Sequence, residues 1–327
     1  MKIAINGFGR IGRLVFRVLT KKRWASVVAI NDLMSIENMV YLLKYDSVYG
    51  KFDGRIEAGT DHIKVNGKKI IVFGESDPSK LPWKKLNVDY VVESTGRFKD
   101  YEQASLHLKA GANRVLISAP SKDPDITVVY GVNHYDLRKH HRIISVASCT
   151  TNCLAPVAKV LHDHFGISRG FLTTVHGYTG DQGTVDLPHK KLRRGRAAAV
   201  NIIPTSTGAT SATAKVIPEL EGRLDGLAMR VPVPVGSIVD FVAELHHKVT
   251  KEEVNVAMKN ASKGNLKGVL EYTDEKLVSS DIIENSHSSI FEGESTKVMG
   301  NMVKVLAWYD NEFGYSNRMV DLLRWLG

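Results

Sequence analysis

The sequence predicts an α/β chain of two domains: a doubly wound parallel sheet, then an α+β unit with a mainly antiparallel sheet. Three observations carry this. The first half alternates short, almost unbroken apolar runs with helical stretches, the look of strands buried on both faces by covering helices. The second half has longer strand-like stretches and fewer helices. At 327 residues and 43% hydrophobic content, the chain is long enough for two cores of ordinary globular composition.

In chain order, strands are expected at 3–6, 27–31, 90–94, 115–118, 127–132 and 143–148. Between the first two, Ile11, Leu14, Val15 and Val18 recur at helical spacing over Arg10–Thr20, which makes a βαβ start. The first domain is placed at 1–147 and the second at 148–314. In the second, strands are expected at 170–178, Leu224–Val231, Ser237–Leu245 and Met302–Tyr309, with helices near 207–217 and 251–261. A C-terminal helix, 315–327, is expected to pack back on the first domain.

Bulk properties exclude several classes. No apolar run approaches the roughly 20 residues of a membrane span, and MKIAINGFGR reads as a strand entering a turn, not as a signal peptide. The two cysteines, Cys149 and Cys153, are a poor disulfide framework, so a cytoplasmic protein with reduced thiols is expected. No 20–50-residue repeat or low-complexity tail stands out. The net charge of +9 peaks at Lys190-Lys191-Leu192-Arg193-Arg194-Gly195-Arg196, which looks like a polyanion patch. No zinc-finger spacing, RNP-type motif or heptad accompanies it. Nucleic acid is therefore not expected as the main partner, nor is a metal site; a phosphorylated substrate and cofactor suit the charge better.

Gly7-Phe8-Gly9-Arg10-Ile11-Gly12 follows a strand and opens a helix. In such a GxGxxG the glycines permit a tight turn, close approach of a pyrophosphate and close helix–strand packing, while the helix N-terminus offers N–H groups to the phosphates. Asp32 follows Gly12 by 20 residues at the end of the second strand, where a carboxylate can accept from both ribose hydroxyls. Together these predict a dinucleotide-binding (Rossmann) domain that prefers NAD, because Asp32 repels a 2′-phosphate. A helix N-cap for the stretch near Ile36 is the plainer reading of Asp32, but does not explain the spacing.

Ser148-Cys149-Thr150-Thr151-Asn152-Cys153 leads from a strand into a helix. A cysteine at a helix N-terminus feels partial positive charge, so a lowered thiol pKa is expected at Cys149. Cys153, one turn on, reads as packing, and Pro156 limits the helix's regularity. Free cysteines are usually small buried hydrophobes, and a nucleophile needs a base. His176 ends a strand in the same half and is a candidate, although it is one of 12 histidines and spacing does not reveal adjacency.

INGFGRIGR at 5–13, SCTTNC at 148–153, the stretch around His176, IIPTSTGA at 202–209, MRVPVP at 229–234 and WYDNEFGYSNR at 308–318 resemble the glyceraldehyde-3-phosphate dehydrogenase family nearly end to end. The resemblance implies Cys149 as nucleophile and His176 as base. The Cys149 N–H and His176 would steady an oxyanion, and a thioester would be released by phosphate as 1,3-bisphosphoglycerate. It implies that Ser148, Thr150, Thr207 and Gly208 hold the attacking phosphate. Thr179, Asp181, Arg194 and Arg230 would hold the phosphate of glyceraldehyde 3-phosphate, arginine suiting it by its bidentate fork. For NAD it adds Arg10 and Ile11 at the pyrophosphate, Thr95, Gly96 and Ser118 along the dinucleotide, and Asn311 on the carboxamide. Leu187 and Pro188, in a loop spanning roughly 178–201, would reach a neighbour's adenosine site in a homotetramer.

Ser76 stands where many members carry Arg or Lys, and Gly180 where Asn or Ala is common. Erythrose-4-phosphate dehydrogenase, which hydrolyses its acyl-enzyme, is the nearest alternative; Thr207 and Gly208 favour phosphorolysis. A catalytically silent polyanion- or RNA-binding protein is the alternative of another class, and intact Cys149 and His176 count against it. Asp32→Ala or Asp32→Gly is expected to narrow the preference for NAD over NADP. An unchanged ratio of the two kcat/KM values would show that Asp32 does not touch the ribose.

Overall fold

The computed structural model describes residues 1–327. Two compact units divide the chain. One comprises Met1–Val128, Tyr135–Ala147 and Ser316–Gly327; the other comprises Val129–His134 and Ser148–Tyr315.

The first unit is built on β1 (Lys2–Asn6), α1 (Arg10–Thr20), β2 (Ser26–Asn31), α2 (Ile36–Lys44), β3 (Ile56–Ala58), β4 (His62–Val65), β5 (Lys68–Phe73), β6 (Tyr90–Glu93), α3 (Tyr101–Lys109), β7 (Arg114–Ile117), β8 (Ile126–Thr127) and β9 (Ile143–Ser145). The sheet order is β8-β9-β7-β6-β1-β2-β5-β4-β3. From β8 to β5 every pair is parallel; β5-β4 and β4-β3 are antiparallel. β1 and β6 are buried over nearly their whole length because helices cover both faces. Successive strands are added first on one side of β1 and then on the other, and at such a switch point the carboxyl ends of parallel strands leave a crevice, the usual ligand position in such sheets. Behind it pack Ala4, Ala29, Trp83, Val91 and Val115, all buried.

Two expectations need correction. The antiparallel β3-β4-β5 edge is absent from the sequence reading. The strand expected at 127–132 is only Ile126–Thr127, because Gly131 adopts φ +89° and the chain turns there, with Val132 N–H bonding Val129 O.

The second unit contains α4 (Cys149–Phe165), β10 (Ile167–Gly177), β11 (Ile203–Ser206), α5 (Ala209–Val216), β12 (Leu224–Val231), β13 (Ser237–Leu245), α6 (Lys251–Lys263), β14 (Leu270–Thr273), β15 (Ser289–Glu292), β16 (Lys297–Met299) and β17 (Met302–Tyr309). Its sheet runs β11-β12-β10-β13-β17-β15-β14, with β16 on β17. Most pairs are antiparallel; β10-β12 and β14-β15 are parallel. β13 alternates buried and half-buried residues along its length, as a strand with one covered face must. α4 continues through Pro156, since residues 150 to 158 are all buried and their packing outweighs one missing hydrogen bond. α7 (Phe313–Leu326) starts in this unit and belongs to the first from Ser316 onward. There the Tyr90 hydroxyl donates to Leu326 O at 2.8 Å, and Trp325 meets Tyr135 edge to face.

A Cβ added at Gly12 would lie 2.1 Å from the Gly7 carbonyl oxygen, whereas one at Gly9 would meet nothing within 4 Å. Gly12→Ala is therefore expected to lower the thermal midpoint by an amount corresponding to about 1–3 kcal/mol of overpacking, with Gly9→Ala leaving it nearly unchanged. Equal losses in differential scanning calorimetry would contradict this account of the turn.

Candidate active site

β1 ends at Asn6, and Gly7 takes φ +90°, where an added Cβ would strike Thr95 N at 2.5 Å. α1 then begins with no side-chain cap on its N-terminus, leaving an end of the kind anions occupy. The Arg10 guanidinium pairs with Asp46 at 2.6 Å and lies over the Tyr49 ring. Asp32 accepts from Phe8 N–H at 2.5 Å and from Met34 N–H at 3.0 Å. The α2 cap is Ser35, which accepts from Asn38 N–H; Asp32 is not that cap. A cleft of about 230 Å³ lies here, lined by Gly7, Gly9, Asp32, Ser76, Thr95 and Arg97 among others. Gly96, at φ +72°, has open space where a Cβ would stand, and Ser118 N–H donates to Glu93 O at 2.9 Å.

Sequence reasoning missed the support beneath this cleft. Glu93 is 1% exposed and accepts from Asn6 Nδ2 at 2.5 Å and from Thr95 N–H at 2.8 Å. Trp83 Nε1–H donates to His107 Nδ1 at 3.0 Å, which places the His107 proton on Nε2, 3.0 Å from Glu93. Asn6 also accepts from Asn31 Nδ2, and Asn31 bonds the Glu75 backbone in both directions. A buried carboxylate met by this many donors fixes the strand ends that line the cleft. The only sequence signal was an acid inside an apolar run.

In the second unit, α4 starts at Cys149, with Ser148 as N-cap accepting from Thr151 N–H. Cys149 Sγ stands 3.4 Å from His176 Nε2. Strand register completes the group: His176 of β10 is the direct partner of Arg230 of β12. Arg230 Nη1 lies 2.6 Å from His176 Nδ1 and 3.0 Å from Gly177 O. Cys153 is buried against Ser289 and Ala307. Thr150 is 5% exposed, and its hydroxyl meets the Tyr309 hydroxyl at 2.9 Å, which also meets Thr174. Tyr309 packs edge-on to His176 and escaped the sequence reading, as did Ser237, which bonds Gly177 N–H and Asn311 Oδ1. With Oδ1 engaged, Asn311 has its amide NH₂ to offer.

Around this pair, Arg194 is held by Asp181 at 2.8 Å and by Thr205 at 2.9 Å, and the Thr179 hydroxyl donates to Asp181. Thr207 accepts from Ala209 N–H at 3.2 Å, and Gly208 caps α5 without a side chain. Leu187 and Pro188 are exposed in a loop closed by Leu187 N–H to Gly195 O and by Asp186 on Arg196 and Ala197. Gly180 is exposed, with open space around a notional Cβ.

Residues 148–311 match the model of the glyceraldehyde 3-phosphate dehydrogenase C-terminal domain, and residues 1–101 match that of its NAD binding domain. Glyceraldehyde-3-phosphate dehydrogenase of Geobacillus stearothermophilus is 57% identical over 100% of this chain and 98% of its own length. That of Thermotoga maritima is also 57% identical, over 99% and 98%, and glyceraldehyde-3-phosphate dehydrogenase 1 of Bacillus subtilis is 56% identical over 100% and 98%. The chain belongs to the glyceraldehyde-3-phosphate dehydrogenase family. It is an NAD-dependent oxidoreductase. Gly9's open approach, the uncapped helix start and the Asp32 carboxylate in one cleft suit a dinucleotide chemically. No helix is long and apolar enough to cross a membrane.

Cys149 is half-buried and His176 almost wholly buried, and this bears on the expected lowering of the thiol pKa. Burial pushes the Cys149 thiol up, outweighing the Arg230 charge and the hydrogen bonds from Thr150 that pull it down. The helix end alone does not produce a lowered thiol pKa, because desolvation penalises the thiolate more. Burial, followed by the nearby Arg230 charge, lowers His176 from 6.5 to about 3. Between those pH values the unfolded chain takes up a proton on this histidine that the folded chain refuses, so His176 costs stability as pH falls from about 6.5 toward 3. His176→Gln removes that cost. The drop in urea midpoint between about pH 7 and pH 4.5 is expected to be smaller in the variant; an equal drop would contradict the buried, neutral imidazole.

Proposed function

We propose that the protein oxidises D-glyceraldehyde 3-phosphate with NAD and inorganic phosphate to 1,3-bisphosphoglycerate, a step of glycolysis and gluconeogenesis. The observation that carries this reading is the 3.4 Å contact between Cys149 Sγ and His176 Nε2, with Arg230 beside it. The Cys149 thiolate attacks the aldehyde carbon to give a thiohemiacetal, and His176 takes the hydroxyl proton as hydride leaves that carbon and the thioester carbonyl forms. The Cys149 N–H and His176 face the developing oxyanion. Bound NAD supplies the hydride acceptor, held by Gly7, Gly9, Arg10, Ile11, Gly12, Asp32, Thr95, Gly96, Ser118 and Asn311.

Arg194 and Arg230, with Thr179, take the substrate's phosphate, and Asp181 orients Arg194 through their ion pair. Ser148, Thr207 and Gly208 receive the attacking phosphate. The Thr150 hydroxyl supports the sulfur and Tyr309, so its share in holding phosphate is the smaller one. Phosphorolysis in place of hydrolysis conserves the thioester's energy as an acyl phosphate.

The assembly that fits this function is a cytoplasmic homotetramer. Val185, Leu187, Leu192, Val200 and Ile202 are 54–86% exposed in and beside one loop, an apolar concentration that suits a subunit contact. Leu187 and Pro188 would then complete a neighbour's adenosine site.

Two results test the reading. NADH formation from glyceraldehyde 3-phosphate is expected to require phosphate for repeated turnover and to stop when Cys149 is alkylated; phosphate-independent turnover would indicate acyl-enzyme hydrolysis instead. Arg230→Ala is expected to raise the KM for the aldehyde far more than that for NAD. Equal effects would remove Arg230 from the substrate pocket.

A further inference from the structure

The first unit has a second ligand-sized hollow, at the end of its sheet opposite the cleft of Gly7 and Asp32. Met1 precedes β1, Tyr90 and Arg114 open β6 and β7, and Arg142 precedes β9. The amino ends of four neighbouring parallel strands therefore meet here. With Lys139 and Leu326 these residues line a cavity of about 660 Å³, within the usual range of small-molecule sites.

The charges on its wall do not balance. Arg114 gives Nη1 to the Tyr90 hydroxyl at 3.0 Å and Nη2 to Lys139 O at 3.2 Å. Arg142 gives Nε to Asn113 O at 3.0 Å and Nη2 to Ala112 O at 3.3 Å. All four acceptors are uncharged, so each guanidinium is held in place with N–H groups to spare. Asp89 is the acidic side chain on this wall, and it already accepts from Lys2 N–H at 2.7 Å. Asp125 is spent on the Arg142 and Ile143 N–H groups. Even with the Gly327 terminus counted as a second acid, Arg114, Lys139, Arg142 and the Met1 ammonium leave a positive surplus. His141 registers the same excess beside the pocket. Burial, followed by the charge of His140, sets its pKa below 6.5; Asp125 opposes this, and Arg138 and Arg114 add to it.

We propose that this pocket binds a linear polyphosphate anion, independently of the cofactor cleft. Two guanidinium forks fixed by the sheet suit neighbouring phosphoryl groups, and the exposed Lys139 adds a third cation. A phosphate chain brings several negative charges to several cations, whereas orthophosphate brings fewer. The same chemistry arrives as a bare polyphosphate or as a nucleoside triphosphate. None of these residues belongs to the aldehyde-oxidising site, so the inference stands apart from that reaction.

The test is titration calorimetry of the NAD-saturated protein with tripolyphosphate, and separately with ATP, in low-salt buffer. Both are expected to bind, and orthophosphate markedly more weakly. Arg142→Gln is expected to weaken tripolyphosphate binding roughly tenfold, and Lys139→Gln about threefold, as for a more exposed charge. Both variants are expected to keep kcat and the KM values for aldehyde and NAD. ATP binding tighter than tripolyphosphate would identify a nucleotide as the source, and equal affinity the phosphate chain itself; either supports the site. Lysine acetylation mapped by mass spectrometry locates the ligand: tripolyphosphate is expected to protect Lys139 in wild type and to protect it less in Arg142→Gln. No binding once NAD is present, affinities unchanged in both variants, or equal acetylation of Lys139 with and without tripolyphosphate would each overturn the proposal.

Discussion

The contact between the Cys149 sulfur and His176 Nε2 depends on two placements that the chain makes separately. One is the start of α4 at Cys149, with its first turn tied by Ser148. The other is the carboxyl end of β10, where Gly177 N–H is pinned by Ser237. Each is a terminus of a regular element, and neither rests on a flexible loop. Rigid placement matters because a thiol and an imidazole in a packed pocket both prefer to be neutral.

Arg230 is the counterweight in that pocket. It pulls the thiol down and the imidazole further down, so it favours a charged sulfur while opposing a charged histidine. Its position follows from sheet register, since β10 and β12 run parallel and pair His176 with Arg230 directly. A slip of one residue would turn alternate side chains to the opposite face and dissolve the cluster. In the first unit another buried side chain has a comparable supporting role: Glu93 gathers Asn6, His107 and Thr95 at the strand ends beneath the cleft at Gly7 and Asp32.

Much of this was legible in the residues. The strands Leu224–Val231, Ser237–Leu245 and Met302–Tyr309 stand where the longer strand-like stretches were expected, and the last two alternate in burial as strands with one covered face do. The glycine turn and Asp32 were legible because each residue type answers a specific backbone or ligand demand. The β4-β5 hairpin was overlooked although it carries its own signal: Asn66-Gly67, both at positive φ, form the two-residue turn such hairpins prefer. The pairing of His176 with Arg230, 54 residues apart, is a matter of crossover register that local patterns do not encode. Resemblance supplied those residues; physics alone left His176 among 12 candidates. Glu93 and Tyr309 were hidden for a related reason, since their importance lies in burial that only the fold reveals.

The central claim is that Cys149 carries the acyl group. Mixing the protein with glyceraldehyde 3-phosphate and NAD in the absence of phosphate, quenching in acid and mapping the peptides by mass spectrometry tests it most directly. The account predicts one thioester per chain on the peptide bearing Cys149, located to that residue by fragmentation. An acyl group on Cys153, or a full burst of NADH with no covalent adduct anywhere, would contradict it.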